Sequence, residues 1–180
     1  MTDVRQNIVA WAKWAVANRT HFNYSEGAHR MDSIGHAGTL PVTADCSAFV
    51  TMCYNWAGAP DPNGNHYNHE GYTGTLLAHG HKITVSQVQA GDVIVYGPGT
   101  GWHTAIIVEA GTDPLTISHG QQGDPSYCRV SQDGRHPQTY LRFDTIAVNP
   151  IHTPPQPPQA PVSAPKPAPV ATPPQTSKHP

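Results

Sequence analysis

The sequence has few cysteines, few charges and no long apolar run. Three cysteines among 180 residues are too few, and odd in number, for a disulfide scaffold, but they leave room for one reactive thiol. The longest apolar run covers only Ile8–Ala12, whereas a transmembrane helix needs roughly 18 apolar residues or more. The formal net charge is −2 and no basic stripe is visible. The composition therefore argues against a nucleic-acid-binding or membrane-spanning protein.

Proline is unevenly distributed along the chain. Residues 151–180 hold 11 of the 19 prolines and contain no Asp, Glu, aromatic residue, Gly or Cys. A segment with so little apolar bulk cannot bury enough surface to offset its chain entropy. We therefore expect one packed domain over residues 1–149 and a disordered, proline-rich linker or tail over residues 150–180. Proline-rich segments of this kind are extended.

The pattern of apolar residues predicts helices first and strands later. Residues 3–18, with Thr2 as N-cap, and residues 46–57 show helical spacing, whereas residues 19–44 and 58–75 have the composition of loops. After Gly80, short β-rich runs alternate with Gly- and Pro-containing turns and with the stretch 119–126. These runs are Lys82–Val85, Asp92–Tyr96, Thr104–Glu109, Leu115–Ser118 and Tyr140–Val148. This order predicts an α+β fold with a mainly antiparallel sheet.

Cys46 lies at the start of the second predicted helix, directly after Asp45. A helix N-terminus carries partial positive charge, which favours thiolate over thiol and suits a nucleophile. The competing interpretation is a small buried apolar residue, which is the role of most free cysteines. Cys53 and Cys128 are interpreted as structural.

Two histidines are candidates for the base that such a thiol needs. His103 begins one predicted strand, and His119 directly follows the next. A nucleophilic cysteine requires a base that is close in space but distant in sequence, and a third group to orient that base. Each histidine alone would be unremarkable, but their positions at successive strand ends, after a helix that starts with Cys46, favour catalysis.

The order of these motifs resembles a known family. The motifs follow one another as Tyr24, the block Asp45–Val50, Gly91-Asp92, His103 and His119. Over about residues 20–145 the chain is similar to the NlpC-type cell-wall cysteine peptidases, and in particular to the N-terminal peptidase domains of endolysins from phages of actinobacteria. The resemblance implies a papain-like fold, with N-terminal helices packed on the sheet.

The resemblance also assigns roles to individual residues. It implies that Cys46 is the nucleophile, His103 the general base and His119 the residue that orients the base. It places Tyr24 and Asp45 near the peptide-binding side of the cleft.

Two neighbours of these residues, Ser47 and Trp102, complete the expected substrate-binding set. The family usually has Gly where Ala48 stands. The region 58–81 is longer and richer in His, Tyr and Asn than in compact members, and it could reshape the substrate groove.

The resemblance implies a peptidoglycan hydrolase that cuts a peptide bond of the stem peptide by thiolate attack. Two alternatives stay open: an N-acetylmuramoyl-L-alanine amidase with the same Cys-His-His site, and a non-catalytic papain-like binding module. We expect a monomer that acts on bacterial peptidoglycan, with no nucleic-acid or membrane partner. A second catalytic or wall-binding domain could lie beyond the proline-rich tail.

The start of the chain, Met-Thr-Asp, shows no basic segment followed by an apolar one, so no signal peptide is predicted. For an endolysin, this implies a protein that stays in the host cytoplasm and reaches the wall after the membrane is permeabilised.

Four other histidines suggest a metal centre as an alternative kind of site. The pairs His66 and His69, and His79 and His81, have spacings that could hold a metal ion. No cysteine or second motif completes the set, and we predict neither a metal nor a cofactor.

Overall fold

The computed structural model describes residues 3–120 and 123–155 of the chain. A six-stranded sheet has the order β3-β8-β4-β5-β6-β7, and β1 and β2 form a separate parallel pair. Every neighbouring pair in the large sheet is antiparallel, so the predicted α+β class is confirmed. The helices are α1 (Val4–Ala17), α2 (Cys46–Trp56), α3 (Thr73–His79) and α4 (Val130–Asp133), and the strands are β1 (Phe22–Tyr24), β2 (Val42–Ala44), β3 (His81–Ile83), β4 (Val93–Tyr96), β5 (His103–Glu109), β6 (Leu115–Gly120), β7 (Gly123–Arg129) and β8 (Gln138–Arg142).

Helix α1 begins one residue later than predicted. Its N-cap is Asp3, whose extended backbone lets the carboxylate accept a hydrogen bond from the Arg5 N–H at 2.9 Å. Thr2, the predicted cap, lies outside the described residues. The predicted apolar stripe is buried, and its members are Val4, Ile8, Trp11 and Ala15.

Helix α2 lies in the centre of the molecule. Ten of its eleven residues are buried, as expected for a helix that is covered on all sides. It packs against α1, β5 and β6, and the indole N–H of Trp56 donates to the Ile34 carbonyl at 2.9 Å. Among the helices of the described ranges, none is both long and apolar enough to cross a membrane.

The two faces of the large sheet bury separate apolar clusters, because successive side chains of a strand point in opposite directions. One face packs against the helices and includes Val93, Val95 and Ile106. The opposite face includes Ile94, Tyr96, Ala105 and Ile107. His103 is the register partner of Tyr96.

The Gly91-Asp92 motif joins the first helix to the sheet. Asp92 is fully buried, and its carboxylate binds Arg5 from α1 at 2.7 Å and Arg142 from β8 at 2.7 and 3.1 Å. The backbone N–H of Gln89 donates a further hydrogen bond at 2.8 Å. The motif therefore has a structural role, since one carboxylate neutralises two cations from different layers.

Several elements differ from the prediction. Strands β1 and β2 lie in the predicted loop 19–44, α3 starts within the predicted loop 58–75, and β7 occupies part of the stretch 119–126. The last strand ends at Arg142 rather than Val148. These elements are short and lack a strong period, so partners distant in sequence decide their conformation.

Residues 144–155 return across the two long helices. The His152 carbonyl accepts hydrogen bonds from the Asn7 side chain at 2.7 Å and from the Trp11 indole at 2.9 Å, and the His152 N–H donates to the Trp56 carbonyl at 2.9 Å. The expectation that the packed chain ends at residue 149 is therefore corrected, because its contacts continue past that point. The rest of the predicted tail, residues 156–180, lies outside the described residues.

Candidate active site

Cys46 is the first residue of α2 and is 8 % exposed. The backbone N–H groups of Thr104, Ser47 and Cys46 itself favour the thiolate and so act to lower the pKa of the thiol. Burial, followed by the negative charge of Asp45, nevertheless raises the pKa of the thiol to about 11. The backbone N–H groups at the helix start favour the thiolate, as expected, but desolvation outweighs them.

Asp45 holds the start of this helix together. Its carboxylate caps α2 by accepting from the Ala48 N–H at 2.7 Å, and it also accepts from the Ser47 hydroxyl at 2.9 Å. The guanidinium of Arg30 lies 3.1 Å from the same carboxylate and also donates to the Gly71 carbonyl. Ser47 is buried. Both residues that we expected to bind substrate are thus engaged in a network that fixes the position of Cys46.

His103 is the first residue of β5 and is 5 % exposed. Its ring stacks on that of Tyr96, with centroids 6.0 Å apart and an angle of 23° between the planes. Burial, and next the positive charge of Arg135, lower the pKa of His103 to about 4. The imidazole is consequently neutral near pH 7 and able to accept a proton.

His119, in β6, is 1 % exposed. Its ring lies edge-on to Phe22 and Tyr24 of β1, at 5.9 and 5.4 Å between centroids, and tilted against Phe49 of α2 at 6.4 Å. The ring therefore packs beside the helix that carries Cys46.

The three predicted catalytic residues come to one end of the sheet. This is the end of the sheet where β5 begins and β6 ends. The pairing of β5 with β6 starts at Ile106 and Ile117 and continues toward the opposite end. Nearer this end, the Thr104 N–H acts on the pKa of the Cys46 thiol. Gly120 lies next to His103, since a Cβ added there would lie 3.6 Å from Cε1 of the imidazole. The role of His119 in orienting His103 stays a prediction.

A cavity of about 580 Å³ opens beside His103. Of the predicted residues, Tyr24, Trp102 and His103 line it. Trp102 is 65 % exposed, and the Tyr24 hydroxyl donates to Glu26 at 2.9 Å. Burial, together with this hydrogen bond, raises the pKa of Tyr24, so its phenol stays protonated. The cavity is large enough for several residues of a peptide.

Among the charged residues of the cavity wall that sequence reasoning did not find are Asp133 and Arg135. They flank Gly134, and both line the cavity with His103. Sequence reasoning also missed Arg30, which lies in a stretch predicted as loop. The stretch Asp133-Gly134-Arg135 has the composition of an ordinary turn, and only its position at the same cavity as His103 distinguishes it.

The histidine pairs do not form a metal centre in the described residues. Within residues 3–120 and 123–155, no three His, Cys, Asp or Glu side chains are grouped so that they could hold a metal ion. The His79 ring instead bonds the Thr75 carbonyl at 2.9 Å and lies against Gly64.

The sequence model of the NlpC/P60 family matches residues 33–142, which covers Cys46, His103 and His119. The chain belongs to the NlpC/P60 family. No curated protein matches the sequence.

Solved NlpC/P60 structures show the same papain-like fold. A hypothetical invasion protein of Mycobacterium tuberculosis is 23 % identical, with a TM-score of 0.50 over 79 % of this chain and 65 % of that chain. This chain thus spans about two thirds of that protein. The P60 domain of an antigen from M. avium subspecies paratuberculosis is 21 % identical, with a TM-score of 0.50 over 79 % of this chain and all of that one.

A third solved structure is RipD from M. tuberculosis, a non-catalytic NlpC/P60 domain protein adapted to peptidoglycan binding. It is 19 % identical, with a TM-score of 0.51 over 79 % of this chain and 98 % of that chain. Membership of the NlpC/P60 family therefore leaves open whether a given domain is an enzyme, and the residues of this site have to decide it.

Proposed function

We propose that this NlpC/P60 domain is a cysteine peptidase that cuts a peptide bond in the stem peptide of bacterial peptidoglycan. The observation that carries the proposal is the arrangement at one end of the sheet. There the backbone N–H of Thr104 favours the thiolate form of Cys46, and the residue directly before Thr104 in β5 is His103, which is buried and neutral near pH 7. A binding module would not need a cysteine at a helix start and a buried histidine at the same end of the sheet.

The expected chemistry starts from a neutral pair. Because the pKa of Cys46 is raised to about 11 and that of His103 is lowered to about 4, the thiol and the imidazole are both uncharged near pH 7. His103 takes the thiol proton as the sulfur attacks the peptide carbonyl, and then returns it to the leaving amine. Water hydrolyses the resulting thioester, with His103 again as the base.

The backbone near Cys46 provides donors for the oxyanion that forms during attack. The N–H groups of Cys46 and Ser47 lie at the sulfur, whereas that of Ala48 is occupied by the Asp45 carboxylate. Donors at a developing oxyanion supply a large part of the rate enhancement in acyl transfer. We expect the first two N–H groups of α2 to have this role.

The test is digestion of purified peptidoglycan by the wild type and by Cys46→Ala, with the soluble fragments identified by mass spectrometry. We expect stem-peptide fragments from the wild type and none from Cys46→Ala. Cys53→Ala is the matched control, because Cys53 lies on the same helix in the core and has no part in the chemistry.

Each other outcome identifies an alternative. Fragments cut between muramic acid and L-alanine would indicate the amidase. Wild-type binding to peptidoglycan without any cleavage would indicate a binding module like RipD. Lysis by Cys46→Ala at the wild-type rate would refute the cysteine mechanism altogether.

We further propose that the protein acts as a phage endolysin on the walls of actinobacteria. Support comes from the order of the motifs from Tyr24 to His119. An endolysin made inside the host should lyse it only after the membrane is permeabilised. Expression in an actinobacterial host, with and without a co-expressed membrane-permeabilising protein, tests this; lysis that is equally fast in both cultures would contradict it.

A further inference from the structure

An arginine–carboxylate pair forms one wall of the cavity beside His103. Nε and Nη2 of Arg135 donate to the two carboxylate oxygens of Asp133 at 2.7 and 2.6 Å, which is the bidentate geometry of strong pairs. Gly134 between them has φ +69°, a left-handed conformation that is accessible to glycine. The turn thus brings both side chains to the same cavity.

The pair is linked to His103 through an aromatic ring. The guanidinium carbon of Arg135 lies 5.5 Å from the centroid of the Tyr96 ring, and the same ring stacks on His103. The Asp133 side chain is 8 % exposed and that of Arg135 40 %. The Asp133 carboxylate is therefore largely shielded from water, so its charge acts more strongly than at an open surface, whereas the Arg135 side chain is partly exposed.

We propose that Asp133 and Arg135 are a positioning pair that sets how readily His103 accepts a proton, with Arg135 favouring the neutral imidazole and Asp133 the protonated one. The proposal rests on the function proposed above, in which His103 is the general base. Neither residue is assigned contact with the substrate.

The two charges act in opposite directions. A cation near an imidazole disfavours its protonated form, and an anion favours it. Arg135 lowers the pKa of His103, and Asp133 raises it by a smaller amount. Asp133 therefore offsets part of the effect of Arg135, and the two charges together determine how readily His103 accepts a proton.

Other groups around His103 do not replace this pair. From β6, His119 lowers the pKa of His103 less than the pair members change it. Tyr96 of β4 is a neutral phenol, because burial raises its pKa. Cys46 of α2 is an uncharged thiol near pH 7.

The remaining titratable groups of the cavity lie on β1, on β7 and just after β1. They are Tyr24, Glu26, Asp124, Tyr127 and Cys128. Among the carboxylates and guanidinium groups of the described cavity wall, Arg135 and Asp133 are the ones whose charges shift the pKa of His103.

The experiment is an NMR titration of the His103 ring in the full chain, compared among variants of the pair. We expect Arg135→Gln to raise the pKa of His103 and Asp133→Asn to lower it, each by about half a pH unit or more. The double variant should titrate between the two. Arg135→Lys keeps the positive charge and should titrate close to the wild type.

The acid limb of the kcat/KM profile should move in the same order as the titrations. Arg129→Gln is the matched control, because Arg129 forms a similar but exposed pair with Glu109 at 3.1 Å; this variant should leave the His103 titration unchanged. The NMR readout does not require activity, so failure of the proposed peptidase function is distinguishable from failure of this proposal.

Shifts of the same sign in both single variants, or no shift in either, would overturn the proposal. If Asp133→Asn fails to fold, the comparison of Arg135→Gln with Arg135→Lys decides: a His103 pKa that is equal in these two variants also overturns it.

Discussion

Truncation within the C-terminal segment provides a test of how far the folded domain extends. A chain that ends at Pro155 keeps every described contact, whereas a chain that ends at Pro150 loses Ile151 and His152. The lost contacts are the hydrogen bonds of the His152 backbone to Asn7, Trp11 and Trp56. The two truncations differ by five residues, so their comparison isolates this segment.

The expected cost follows from the burial of the donors. Asn7 and Trp11 are 3 % and 1 % exposed, and both would lose the His152 carbonyl as acceptor. Three hydrogen bonds at about 0.5–1.5 kcal/mol each give about 1.5–4.5 kcal/mol. In addition, Ile151 packs against Gly58, where an added Cβ would lie 2.8 Å from Ile151 Cγ1. For a domain of this size, such a loss lowers Tm by roughly 5–15 °C.

The assay is urea and thermal unfolding of the two truncated chains and the full-length protein, followed by circular dichroism. We expect the chain that ends at Pro155 to unfold like the full-length protein. His152→Ala should have a small effect, because the acceptor is the backbone carbonyl and the side chain is exposed. Equal midpoints and slopes for the two truncated chains would refute the reasoning, since they would mean that the segment contributes nothing to the fold.

Four further predictions concern single residues and the solution conditions. Asp92→Asn leaves two arginines without their buried counter-charge and should cost about 3–5 kcal/mol in urea unfolding, whereas Glu109→Gln in an exposed pair should cost under about 1 kcal/mol; equal effects would contradict the role of Asp92. The pKa of His103 is lowered from 6.5 to about 4, so the unfolded chain binds a proton that the folded chain does not. Stability should therefore fall by up to about 3 kcal/mol as the pH drops from 6.5 to 4, and His103→Gln should flatten this slope. Cys53→Ala should cost about 1–2 kcal/mol and keep the activity of the folded fraction, whereas alkylation of Cys46 should abolish activity. Activity should withstand EDTA; a loss that zinc restores would contradict a metal-free mechanism.

Local sequence patterns were sufficient to predict the parts of the fold that depend on neighbouring residues along the chain. The apolar spacing of residues 4–17 and 46–56 was sufficient to predict α1 and α2, because a buried helix face repeats every 3.6 residues. Strands β4, β5 and β6 were predicted close to their observed positions for a similar reason, since each is a continuous β-rich run between turns. The short elements β1, β2 and α3 were missed, since each forms through contacts with distant residues.

The candidate site likewise has features that the sequence predicts and features that only the tertiary structure shows. The order and types of the motif residues, together with their predicted places at a helix start and at strand ends, pointed to Cys46, His103 and His119 and to the NlpC/P60 family. Charge and burial at these positions required the tertiary structure, because desolvation depends on everything packed around a group. The thiol shows this most clearly: its position at a helix N-terminus predicts a lowered pKa, and its burial raises it to about 11.

By itself, the sequence determined the α+β class, the two long helices, the order of the motifs and the family, since each of these depends on residue type and spacing along the chain. Only the tertiary structure decided that Asp45 and Ser47 support the thiol, that Asp133 and Arg135 face the cavity of His103, and that the chain stays packed beyond residue 149. These features depend on contacts between residues that are distant in sequence, and local sequence patterns do not predict which of these residues come into contact. The His152 carbonyl illustrates the reason: a backbone acceptor has no sequence signature, and its partners Asn7 and Trp11 lie more than 140 positions earlier.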